Sequence, residues 1–70
     1  MTTPTDDDLA YVRELTARHA DGDPQRVAAY AAYQMASRLG RIGTQEPELD
    51  DEHVRMARAY GQVYRDNHPW

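Results

Sequence analysis

The sequence predicts an all-α protein, a small bundle of three helices. Three observations carry this. Apolar residues recur at helical spacing in three segments. Each segment opens on a residue that caps helices well, and the connections hold Gly and Pro. No stretch reads as a strand.

Helix one is expected over about 6–20. Thr5 is its N-cap, and Asp6, Asp7 and Asp8 meet the positive end of the helix dipole. Leu9, Val12, Leu15, Thr16 and His19 form one stripe. Arg13, Glu14 and Arg18 lie opposite, with Glu14 and Arg18 paired at i,i+4. Asp21-Gly22-Asp23-Pro24 ends this helix and starts the next, with Asp23 as N-cap and Pro24 in the first helical position. Helix two is expected over 24–39, and Gly40 is suited to the left-handed position past its end. Arg41 to Leu49 holds Gly43 and Pro47 and reads as a loop. Asp50 then caps helix three, about 51–66, with Leu49 placed to staple onto Val54. Val54, Ala57, Tyr60, Gly61 and Tyr64 form its inner stripe, with His53, Met56 and Val63 at the edge. Short connections favour antiparallel neighbours, hence an up-down-up order.

Seventy residues make one domain, 1–70, with 1–4 and 67–70 expected as flexible tails. The core is poor in aliphatics. Leu, Ile and Val together number nine, there is no Phe, and ten Ala and five Tyr must supply much of the packing. A monomer with such a core is marginal, and self-association is a common remedy. With no Cys, disulfides and thiolate metal sites are excluded. No apolar run approaches a membrane span, and no secretory signal is visible, so the expected location is the cytoplasm. All eight basic residues are Arg, a usage that a GC-rich bacterial or phage genome explains.

Helix two carries the strongest functional signal. Val27, Ala28, Ala31, Ala32, Met35 and Leu39 suffice to pack it inside one chain. Yet Ala29, Tyr30, Tyr33 and Ala36 make a second apolar side. Either the helix is central and packs with both sides, or this side meets another protein, most simply a second copy in a homodimer. Arg55, Arg58, Gln62 and Arg65 line the outer face of helix three. They form an alternative nucleic-acid face, or a solvated one with Asp51 pairing Arg55. The net charge of −4 opposes the nucleic-acid reading. Asp6–Asp8 and the acidic run from Glu46 to Glu52 are placed to gather at one pole, as caps or as a decoy surface for a basic protein. His19, His53 and His68 show no zinc spacing, and no cofactor or catalytic motif appears. The expected role is therefore a non-catalytic interaction or assembly module.

Overall fold

The computed structural model describes residues 2–44 and 46–68. Within them the regular structure is entirely helical: α1 spans Asp6–Ala20, α2 Pro24–Leu39 and α3 Asp50–Asn67, with a single 3-10 turn, Pro47–Leu49, feeding α3. This is the three-helix bundle that the periodicity predicts.

The caps set the boundaries. The Asp8 N–H donates to Thr5 Oγ1 and the Thr5 N–H donates to Asp8 Oδ2, both at 3.0 Å. This reciprocal capping box satisfies two donors that the first helical turn would otherwise leave open. At α2 the Gln25 N–H donates to Asp23 Oδ1 at 3.0 Å, and Pro24 needs no partner because it has no N–H. The expected i,i+4 pair forms, with Arg18 Nη2 2.6 Å from Glu14 Oε1.

Two loop expectations are corrected. Gly40 is not left-handed; it lies at φ −68°. The chain continues past α2 in tight turns, Arg41 N–H donating to the Arg38 carbonyl and Ile42 N–H to that of Leu39, and a positive φ of 76° arrives only at Gly43. Asp50 is not the cap of α3 but its first residue, because the 3-10 turn runs into the helix without a break. Its carboxylate instead accepts the Gly43 N–H at 3.1 Å and ties the loop to the start of α3.

The chain runs up, down and up. His19 near the end of α1 stacks on Tyr30 in α2, ring centroids 4.5 Å apart. Arg38 at the end of α2 donates to His53 at the start of α3, 3.2 Å away. Asp8 and Arg55, near the starts of α1 and α3, approach to 2.7 Å.

Helix α3, not α2, is the central element. It buries His53, Met56, Ala57, Ala59, Tyr60, Gly61 and Val63, whereas α2 buries only Val27, Ala28 and Ala31, and α1 only Val12, Thr16 and Ala20. The most extensive packing is between α2 and α3. Small residues make this possible: a Cβ added at Gly61 would meet Met35 Sδ at 3.3 Å. The buried Thr16 hydroxyl costs little, since it donates within its own helix to the Val12 carbonyl at 2.7 Å. Part of the segments expected as flexible tails is tied to α3. Arg58 Nη1 donates to the Thr2 carbonyl at 2.7 Å, and Asn67 completes α3. The rest of those tails, Met1, Pro69 and Trp70, lies outside the described residues.

Candidate functional site

Helix α2 presents two unlike sides. Val27, Ala28 and Ala31 are buried, while Ala29, Tyr33 and Ala36 are exposed. Positions i, i+4 and i+7 share one face of a helix, so these last three form a continuous outward strip. Tyr33 is 70% exposed, the most open of the large apolar side chains among the described residues. Tyr30 stands apart from them. It is half-buried and stacked on His19, so much of its ring is already covered within the chain. Leu39, 51% exposed, borders the strip at its C-terminal end. Sequence periodicity identifies this side as apolar. It does not say whether the fold covers it, and the fold leaves it open.

The arginine strip of α3 is divided. Arg55 does not pair with Asp51 but turns to α1, where its Nε lies 2.7 Å from Asp8 Oδ2. The approach is off the N–H direction, so the contact compensates charge without a well-formed hydrogen bond to Nε. Arg58 is held by the Thr2 carbonyl, and Arg65 donates to Gln62 Oε1 at 3.0 Å. Gln62 in turn donates to Asp66 at 2.9 Å. Arg58 and Arg65 are thus fixed by neutral groups and keep their charge toward solvent.

The Asp8–Arg55 contact brings the starts of α1 and α3 together, so the acidic segments share one pole. The Thr5 backbone N–H holds the Asp8 carboxyl below the usual carboxylate range, against the effect of burial, and Arg55 adds to it. A depressed folded pKa favours the fold at pH values above the ordinary carboxylate pKa, and that support is lost as pH falls through the folded value. Asp8→Asn is therefore expected to lower the thermal midpoint at neutral pH, by an amount that shrinks as pH falls below the ordinary carboxylate range. Melts followed by circular dichroism over a descending pH series check this; a loss that stays constant through the acid range would remove ionisation from the explanation.

The histidines occupy separate places. His19 is at the end of α1 on Tyr30, His53 is buried at the start of α3, and His68 lies just past the end of α3, where its ring packs edge-on to Tyr64. His53 and His68 are separated by roughly 22 Å along the helix axis at 1.5 Å per residue. Among the described residues no three His, Asp or Glu side chains converge on a point that would hold a metal ion. Among the same residues no helix is long and apolar enough to cross a membrane.

Sequence reasoning misses one feature, a groove of about 730 Å³ between the N-terminal segment and the three helices. Leu9, Met35, Leu39, Val54, Ala57 and Gly61 give it an apolar floor. Arg13, Arg58, Gln62 and Arg65 stand at its rim, and Thr3 and Pro4 close one side. No periodicity reports such a hollow, because its walls come from four separate segments. Comparison with protein-family models, with curated proteins and with solved structures finds no match for the chain.

Proposed function

We propose that the chain is a non-catalytic interaction or assembly module that associates through the outer face of α2, most simply with a second copy of itself. The observation that carries this reading is the uncovered strip of Ala29, Tyr33 and Ala36 on a protein short of apolar area. Ala permits close approach of helix backbones, and a large side chain removed from water contributes roughly 1.5–3 kcal/mol. Tyr30 adds the edge of its ring at the margin of the contact rather than its centre. The nucleic-acid reading of Arg55, Arg58, Gln62 and Arg65 is less well supported. Arg55 faces Asp8, and the chain as a whole carries −4. No feature of the acidic pole favours a decoy over simple capping, which accounts for Asp8 directly.

Sedimentation across a concentration series tests the proposal. The wild type is expected to shift from monomer to dimer, with a melting temperature that rises with concentration. Ala36→Glu places a charge in the contact and should weaken association about tenfold or more, with helix content unchanged. A wild type that sediments as a monomer at every concentration would remove self-association. Loss of helicity in the variant would mean that this face packs inside the bundle.

A further inference from the structure

The groove has the two properties of a site for an amphipathic anion. Its floor is aliphatic, and Leu39 leaves half its surface in water at the mouth. Its rim is cationic, in a protein whose net charge is −4. Arg58 and Arg65 are oriented by a carbonyl and by an amide, so neither is neutralised by a carboxylate among the described residues. Arg13 has only a long contact of 3.7 Å to Asp66, with both side chains well exposed. Three guanidinium side chains, two of them without a carboxylate partner among the described residues, thus line an apolar hollow within the size range of small-molecule sites. Waters that fill such an open groove lie in part against aliphatic walls. Displacing them with a hydrocarbon chain is favourable, and a carboxylate at the end of that chain would meet guanidinium groups that bind it in a planar fork.

We infer that this groove binds a free long-chain aliphatic carboxylate, with the chain along Leu9, Met35, Leu39 and Val54 and the carboxylate at Arg58 and Arg65. The site is distinct from the outer strip of α2, touching it only at Leu39. Thr3 and Pro4 form one wall, which Arg58 holds in place through the Thr2 carbonyl. The head group and that wall therefore depend on the same side chain.

Titration of the full chain with dodecanoate below its micellar concentration, followed by ¹H–¹⁵N chemical shifts, tests this. The expected result is saturable binding with one ligand per chain and shifts concentrated at Leu39, Ala57, Arg58 and Gly61. Dodecyltrimethylammonium, with the same tail and the opposite charge, should bind at least about tenfold more weakly, as should dodecanoate to the double variant Arg58→Gln/Arg65→Gln. Leu39→Gln, at a half-exposed position near the helix end, should keep the fold and weaken dodecanoate several-fold. Equal affinity for the two detergents would overturn the role of the rim. Shifts spread over the whole chain, or no saturable binding by a variant-sensitive site, would overturn the groove. Circular dichroism of each variant separates loss of binding from loss of fold.

Discussion

Ala31→Glu is expected to remove a large part of the chain's stability. Ala31 has no exposed surface and belongs to the core cluster with Val27, Met56 and Tyr60. A glutamate there must either bury an unpaired charge or push α2 away from α3. The cost of an uncompensated buried charge is about 3–5 kcal/mol by analogy with broken buried pairs. A chain of this length has roughly 4–10 kcal/mol of stability in total. The same substitution five residues later, Ala36→Glu, meets solvent and should leave the helices formed. Far-ultraviolet circular dichroism and urea titration of the two variants side by side therefore read the orientation of α2 directly. Equal stability for the two would mean that the buried and open sides of α2 are wrongly assigned.

Tyr60→Ala is expected to have an effect of comparable size. Tyr60 is 2% exposed on the central helix and packs in a core otherwise made of Val, Ala and Met. Truncating a buried aromatic typically costs about 3–5 kcal/mol, and small neighbours collapse poorly into the space. Tyr60→Phe keeps the ring and should cost far less, since deleting one hydroxyl changes only a local contact. The two variants also separate packing from ionisation. Burial raises the Tyr60 pKa above its usual value; the nearby Tyr11 and Tyr30 phenols raise it further, and Arg38 acts in the opposite sense. The fold thus favours the neutral phenol. That contribution is fully present below the ordinary tyrosine pKa and is lost as pH rises through the folded value. Alkaline unfolding should accordingly move to higher pH in Tyr60→Phe. An unchanged alkaline transition in that variant would assign the sensitivity to another group.

Helix positions are legible in this sequence because their causes are local. Thr5, Asp23 and Pro24 act within one turn of themselves, so the starts of α1 and α2 follow from them. The order of burial among the helices is not local. Helix α2 has the more evenly apolar composition, yet α3 is central, because Ala57, Ala59 and Gly61 let its neighbours close around it. Periodicity reports which face of a helix is apolar, not how many neighbours that face receives. The same limit governs the sites. The Ala29, Tyr33 and Ala36 strip is readable as a surplus, while its exposure depends on where α1 lies. Arg55 illustrates the failure of near-neighbour reasoning. Asp51 is one turn away, but the partner is Asp8, 47 positions back in the chain, and its carboxylate is already held in place by the α1 cap. His53 reads as an edge residue from its register and is in fact buried, because Arg38 supplies a polar partner beneath α2.

The contact between Arg38 and His53 fixes a proton. A guanidinium has only N–H groups to offer and no lone pair to accept with. At 3.2 Å from Arg38 Nη1, His53 Nδ1 must therefore be the accepting nitrogen, and the ring carries its hydrogen on Nε2. The assignment follows from a single neighbour. In its neutral form, isotope-labelled His53 would thus show an unprotonated Nδ1 by its nitrogen shift while α2 and α3 are packed.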